Sequence, residues 1–551
     1  MNRRIKKAAI ICALSASAVI GIFAATPKDN FFEISKNLEI FATLYRELNI
    51  FYVDDVQPGD LMKTGIDAML ESLDPYTNYI TESQIEDYRF MTTGEYGGIG
   101  SLIRTIDGEV YISEPYEGFP AQKVGLKAGD KILMIDGKKV ADKDQEEISQ
   151  LLKGQSGTSL VITFQRAGVV EQVTLDREEI KIPDVPYYGM LDDEIGYIRL
   201  NSFTQTASRT VKDAFKELKE EKGMKELVFD LRGNGGGLLK ESVNIVNFFV
   251  PKGSEVVSTK GKISEWDQNY KALNEPLDTL MPLIILVDQA SASASEIVSG
   301  AIQDLDRGVV IGNRTFGKGL VQQTRDLQYN SKLKVTVAKY YIPSGRCIQK
   351  LDYSHKDLNG DAGEVPDSLL KVFETANGRE VIDGRGIDPD IEIEDREMPH
   401  IILSLVAENL FFQYATDYSS KHESIDEPAK FDLTDEEYAE FVAYLNGKDY
   451  HYTTDTEKEL EKLVKIAKQE KYWGMASAEF TDLEDALHAK KKDDLNIFKD
   501  DIETLLENEI VSRYYYQSGR IRSSLTSDDA VAKAKEVLKD KSKYQSVLSP
   551  N

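Results

Sequence analysis

The sequence predicts a multidomain α/β protein flanked by helical regions, and three observations carry that prediction. Residues 190–345 alternate apolar strand-like runs with amphipathic helical ones, the pattern of a largely parallel sheet covered by helices. Residues 91–178 have a different texture, with short strand-like runs punctuated by glycine. The chain of 551 residues also exceeds one core; at about 150 residues per domain, three or four are expected.

Taken in order, residues 1–26 read as a targeting segment. MNRRIKK carries four positive charges and leads into an uncharged run from Ala8 to Ala25, the layout of a secretory signal. The run has 18 residues, long for a signal and just enough for a membrane span. The reading is therefore export, either with a cleaved signal peptide or with an inner-membrane anchor, and a periplasmic site of action. Residues 27–90 read as helical, with Phe41, Leu44 and Leu48 at helical spacing and LMKTGIDAMLESLDP ending in a proline-containing turn. Within 91–178, VYIS, KILMIDGKKV and SLVITFQRAG read as strands and AQKVGLKAGD as a short helix with a turn.

Residues 179–399 hold the α/β alternation. IGYIRL, ELVFDL and PLIILVD read as strands, while Val211, Ala214, Phe215 and Leu218 fall on one helix face at i, i+3, i+4 and i+7. KLKVTVAKYY alternates Leu333, Val335 and Val337 with polar neighbours, predicting a strand with one wet face. Residues 400–551 are helix-rich and highly charged; IILSLVAENLFFQYA and KELEKLVKIAKQE each read as one helix, and the final stretch reads as polar.

Composition excludes several functions. A net charge of -27 and a pI near 4.8, with no basic stripe beyond the N-terminus, disfavour nucleic-acid binding. Two cysteines, Cys12 and Cys347, cannot build a disulfide framework. The five histidines form no HExxH or Cys/His cluster, so no metal site is expected.

Four segments have the composition to carry chemistry. DQASASASEIVSGAIQD places alternating serines, Ser291, Ser293 and Ser295, where a strand gives way to a helix. Free N–H groups and the helix dipole there suit oxyanion stabilisation; helix capping is the plainer explanation. RTFGKGLVQQ sets Lys318 between glycines beside Phe316, Leu320 and Val321. A lysine in apolar surroundings loses basicity and can serve as a neutral base, although an exposed turn would look the same. If GLVQQ is extended, Gln322 shares the face of Lys318. DLRGNGGGLL joins a strand to a helix through Gly233, Gly235, Gly236 and Gly237, either a ligand-approaching loop or a tight turn. GEYGGIG, with Tyr96, Gly97, Gly98, Ile99 and Gly100, is either a loop that binds a peptide carboxylate or a plain hairpin turn.

Together and in this order, these segments resemble the C-terminal processing peptidases, or tail-specific proteases, over most of the chain from about residue 35 to 395. LDPYTNYIT followed by GEYGGIG resembles the family's entry into its PDZ domain, and AQKVGLKAGDKILMIDGKKV is similar to PDZ sequences generally. IGYIRLNSF, DLRGNGGG, SASASEIVSGAIQD, RTFGKGLVQQ, IPSGRCIQ and GRGIDPDIEI resemble the peptidase core. The resemblance implies a PDZ domain at 91–178 and a crotonase/Clp-protease-like peptidase core at 179–399, between the helical regions that spacing and composition predict at 27–90 and 400–551; the family does not cover 400–551 uniformly. It implies Ser293 as nucleophile, Lys318 as base, Gln322 as its orienting partner, and the N–H groups of Ala294 and Gly237 as oxyanion donors, with no cofactor. Substrates would be proteins with accessible C-terminal tails, held at Tyr96–Gly100; an adaptor protein and association with the inner membrane are compatible with this reading. Two competing functions are a catalytically silent PDZ scaffold or chaperone on the same fold, which the intact Ser293, Lys318 and Gln322 oppose, and a crotonase-like acyl-thioester enzyme, which the export segment opposes.

Overall fold

The computed structural model describes residues 31–549 apart from 142, 358–359, 395–396 and 492. The expected export segment, 1–26, lies outside the described residues. Among the described residues, no helix is long and apolar enough to cross a membrane.

The α/β alternation becomes a six-stranded sheet. Its parallel strands Ile195–Arg199, Glu226–Asp230, Leu283–Val287 and Val309–Gly312 lie side by side, extended by the short Ile391–Glu392 and edged by the antiparallel Tyr187–Met190. These runs are apolar throughout because both faces of the sheet are covered. Helices Ala207–Lys216, Leu239–Val246 and Ala294–Asp304 cover one face, burying Val211, Ala214, Phe215, Ile245 and Ile297 against Leu227, Phe229 and Ile285.

The other face is covered from the far end of the chain. Helices Asp529–Lys539 and Lys541–Val547 pack Val531, Ala534, Val537, Leu538 and Tyr544 on Val228, Ile284, Leu286 and Ile311. The final stretch reads as polar because only one stripe of each helix turns inward; Ala530, Val531, Ala534, Val537 and Leu538 recur at helical spacing within an otherwise charged segment.

A second sheet stands beside the first. Its long strand Lys332–Tyr341 pairs with Leu320–Asp326 on one side, and with Asn78–Ile80 and Glu255–Gly261 on the other. The sequence reading of a wet face on this strand needs correction. The polar-looking alternates include Lys334 and Tyr340, which line a cleft between the two sheets, and Thr336, which accepts from Gln322 of that cleft; Tyr340 is fully buried.

Residues 95–181 form a separate β unit, with strands in the order Ser101–Ile106, Glu109–Pro115, Lys131–Ile135, Ser159–Arg166 and Val169–Asp176. Val110, Ile112, Ile132, Ile148, Leu160 and Ile162 fill its core. Glu95–Gly98 pairs with Glu178–Lys181, so the chain enters and leaves this unit through one two-stranded neck. In the C-terminal region, the single helix expected over IILSLVAENLFFQYA is two, His400–Ala407 and Leu410–Lys421. Asn409 breaks it with φ +55°, a conformation asparagine tolerates better than most residues, and its Oδ1 accepts from Arg104 of the β unit at 3.2 Å.

Candidate active site

The three alternating serines are separated by their surroundings. Ser291 Oγ donates to the carbonyl of Leu231 at 2.9 Å and Ser295 Oγ to that of Asn234 at 2.8 Å, and both residues are fully buried. Those two hydroxyls hold the glycine loop against the helix. Ser293 instead lines a cleft of about 1250 Å³. It stands immediately before the helix Ala294–Asp304 with φ +56° and ψ -110°, a conformation that costs of order 1–3 kcal/mol for a residue bearing a Cβ. The helix N-terminus favours negative charge developing beside it.

The glycine run after Glu226–Asp230 closes on this serine. A Cβ on Gly236 would lie 2.7 Å from the carbonyl oxygen of Ala292 and 2.8 Å from Ser293 Cβ, so only glycine permits the approach. The N–H of Gly236 donates to Asn234 Oδ1 at 2.9 Å. Those of Gly237 and Ala294 have no hydrogen-bond partner among the described residues, and Gly237 is exposed and lines the cleft with Ser293. Ala294 is buried as the first residue of the helix.

Lys318 reaches the same cleft from the turn before Leu320–Asp326. Its Nζ lies 4.2 Å from the centroid of the Tyr76 ring, contributed by the LDPYTNYIT segment, and makes no ion pair among the described residues. Burial is the largest influence on the amine and lowers it from 10.5 to about 8; Lys334, half-buried in the same cleft, pushes the same way, while Glu296 and Asp74 oppose. The Tyr76 ring also favours the cation.

Glu296 and Tyr340 lie behind Ser293 and Lys318. The fully buried Glu296 carboxylate accepts from the N–H of Ser293 (2.8 Å), Gly317 (2.7 Å) and Lys318 (2.9 Å) and from Thr315 Oγ1 (2.6 Å). Burial pushes its carboxyl up to about 7 against those four bonds. Tyr340 Oη lies 2.5 Å from the carbonyl of Lys318 and 3.1 Å from that of Ser293. Sequence reasoning passed over both residues. Glu296 stands in the serine motif and reads there as an ordinary capping glutamate, and Tyr340 reads as strand.

Gln322 lines the cleft as well, but its Nε2 donates to Thr336 Oγ1 at 3.2 Å, not to the amine of Lys318. The register of Leu320–Asp326 against its neighbour shifts between Val321 and Gln322, which breaks the simple alternation that would set Lys318, Leu320 and Gln322 on one face.

Residues 194–355 match Peptidase family S41, residues 111–166 a PDZ domain, and residues 401–538 the C-terminal helical domain of a probable PDZ-protease. Over 341 residues the chain is 35% identical to the carboxy-terminal-processing protease of Bartonella bacilliformis, covering 61% of this chain and 78% of that one. The chain belongs to peptidase family S41. It is also 36% identical over 315 residues to a probable CtpA-like serine protease of Staphylococcus aureus (strain bovine RF122 / ET3-1), covering 57% of this chain and 62% of the length of that relative. Among solved structures, it is similar to a photosystem II D1 C-terminal processing protease at 27% identity, with a TM-score of 0.36 over 65% of this chain and 93% of that one.

In this S41 chain the PDZ domain presents a second opening of about 570 Å³. Strand Ser101–Ile106 is an edge strand of its sheet and faces helix Gln145–Leu152 across an apolar groove lined by Tyr96, Ile99, Ile103, Tyr116 and Leu152. The carbonyls of Ile99 and Gly100 accept from Ala121 and Tyr116, while their own N–H groups have no partner among the described residues. Gly97 belongs to the neck, where its carbonyl accepts from Gly154, and Gly98 packs on the Tyr96 ring. Helix Ile85–Thr93 joins the two openings, with Phe90 in the PDZ groove and Tyr88, Met91 and Thr92 in the cleft.

Proposed function

We propose that this chain is an exported serine endopeptidase that cleaves proteins with a Ser293–Lys318 dyad and selects them by their C-terminal tails. The observation that carries the reading is one cleft shared by a strained serine at a helix N-terminus, a lysine lowered to about 8, and a glycine N–H with no partner among the described residues. Neutral Lys318 takes the Ser293 hydroxyl proton as Oγ adds to the scissile carbonyl carbon. The N–H groups of Gly237 and Ala294 receive the oxyanion. Protonated Lys318 then returns the proton to the leaving amine, and water, deprotonated by the same amine, releases the acyl group from Ser293. Gln322 lines the same cleft, with its amide bonded to Thr336 on the neighbouring strand.

Tail selection is supported by the PDZ groove. An extended peptide adds to the free edge of Ser101–Ile106, its terminal carboxylate meeting the N–H groups of Ile99 and Gly100 and its apolar side chains the groove. Export is supported by the basic and apolar composition of residues 1–26.

The test is hydrolysis of an unstructured protein by Ser293→Ala and Lys318→Ala variants, neither of which removes much core. Both should be folded and inactive. Near-normal turnover by Lys318→Ala would falsify the dyad, and a folded wild-type chain with no hydrolysis of any tailed substrate would favour the silent scaffold. Cell fractionation tests export: full-length chain in the cytosol overturns it.

A further inference from the structure

Ser293 and Lys318 come from different parts of the chain, one ahead of a helix and the other ahead of a strand, and no continuous element fixes their separation. Each is nevertheless held by both polar groups of its own backbone. The two N–H groups donate to one carboxylate, that of Glu296, at 2.8 and 2.9 Å. The two carbonyls share the single proton of one hydroxyl, that of Tyr340, whose oxygen lies 3.1 Å from the Ser293 carbonyl and 2.5 Å from that of Lys318.

We propose that Glu296 and Tyr340 are positioning residues, a two-sided clamp that sets the placement of Ser293 relative to Lys318. The proposal rests on the Ser293–Lys318 reading above.

The chemistry of Glu296 goes beyond capping. A capping glutamate sits at the surface and accepts from the N-cap N–H. Glu296 is fully buried, has no cationic partner among the described residues, and gathers donors from Ser293 and from Thr315, Gly317 and Lys318. A carboxylate offers about four lone-pair positions, and these four donors occupy them, two on each oxygen. Burying an unpaired carboxylate is costly unless its hydrogen bonds are complete. An amide at this position retains acceptor capacity on one atom only and turns N–H groups against the donors that met the other.

Thr315 extends the clamp. Its hydroxyl donates to Glu296 and accepts from the N–H of Ile387 at 2.7 Å, linking the lysine turn to the segment after Gly386. A Cβ on Gly386 would come within 2.7 Å of the carbonyl oxygen of Thr315. Tyr340 brings the second sheet to bear on the same two residues, since its strand pairs with the one that follows Lys318. The strained backbone of Ser293 is therefore gripped from the helix side and the sheet side together. Because misplacing a catalytic group by about 1 Å can cost 10²-fold in rate, loosening the clamp should lower turnover while leaving substrate capture intact.

The experiment compares Glu296→Gln, Glu296→Asp, Tyr340→Phe, Ser293→Ala and Lys318→Ala with the wild-type full-length chain on one tailed protein substrate. kcat and KM are measured separately, alongside thermal melting and binding of a tail peptide to the PDZ domain. For Glu296→Gln, kcat should fall about 100-fold with KM within threefold of wild type, and for Tyr340→Phe about tenfold. Glu296→Asp keeps the charge but not the reach, and should lose as much kcat as the amide. Peptide binding should be unchanged throughout. If Glu296→Gln does not fold, Tyr340→Phe decides, since it keeps the ring and removes only the hydroxyl. Wild-type kcat in folded Glu296→Gln and Tyr340→Phe, with Ser293→Ala and Lys318→Ala inactive, overturns the clamp alone. Retained activity in Ser293→Ala or Lys318→Ala instead overturns the dyad on which it rests.

Discussion

The pH dependence of turnover examines the dyad most directly, because it reads the charge on Lys318. Burial, with help from Lys334, lowers the amine from 10.5 to about 8, a displacement of about 3 kcal/mol in favour of the neutral form. At pH 8 about half of the molecules then carry a free amine; at pH 6 about one in a hundred does. An ordinary lysine would be neutral in only about 0.3% of molecules at pH 8. The groups facing the amine are Lys334, Glu296, Asp74 and the Tyr76 ring. Since only the unprotonated amine accepts the serine proton, kcat/KM should fall about 50-fold between pH 8 and pH 6. Removing the neighbouring positive charge with Lys334→Gln should move the midpoint to higher pH, because Lys334 disfavours the protonated amine. The assay is hydrolysis of a quenched fluorogenic protein at constant ionic strength from pH 5.5 to 9.5. An acid limb centred below pH 6.5 and unmoved by Lys334→Gln would refute a neutral lysine as the base.

Gly236→Ala, at φ +102° with its Cβ 2.7 Å from the carbonyl oxygen of Ala292, should cost of order 1–3 kcal/mol in a denaturant melt and most of the turnover. Gly100→Val places its Cβ 2.4 Å from Phe119 Cβ at φ +70°, so it should weaken binding of a free-acid tail peptide in titration calorimetry, and amidating the peptide should weaken wild-type binding likewise. Arg232→Met leaves the fully buried Asp230 without its principal ion-pair partner and should lower stability by about 3–5 kcal/mol by chemical denaturation. Ending the chain after residue 527 strips the cover from Val228, Ile284, Leu286 and Ile311, and the product should aggregate on sedimentation analysis.

Much of the core was legible because its signals are local. The apolar runs IGYIRL, ELVFDL and PLIILVD read as strands and are strands of the sheet, and the stripe of Val211, Ala214, Phe215 and Leu218 reads as one helix face; all four of those residues are buried. The strand Lys332–Tyr341 shows where such reading stops. Alternation reveals that two faces differ, but it cannot tell a face turned to water from one turned into a cleft, and here Lys334 and Tyr340 line the cleft and Thr336 accepts from Gln322 of that cleft. Glu296 was hidden for a related reason. A glutamate three residues after a serine at a helix start looks like a cap, and only the fold shows that Thr315, Gly317 and Lys318 arrive at the same carboxylate. Of the serines, Ser291 and Ser295 are equivalent to Ser293 in pattern, and burial and hydrogen bonding distinguish them.

The C-terminal segment shows the same effect at the scale of domains. Composition divides the chain near residue 400, where α/β alternation gives way to charged helices, yet the last two helices belong to the α/β sheet in every physical respect. Their apolar stripe fills the face that no helix among the described residues of 179–399 covers. Their attachment also extends to the glycine loop. Arg232, within DLRGNGGG, is held by buried Asp230 and by Asp528 at 2.7 Å each, and Asp528 also accepts from the N–H of Val531 at the start of the helix Asp529–Lys539. Tyr197 Oη donates to Asp230 at 2.6 Å from the adjoining strand. The loop presenting Gly236 and Gly237 to Ser293 is thus tethered from behind to residues almost 300 positions later in sequence. That makes the C-terminal helices part of the scaffold of the site.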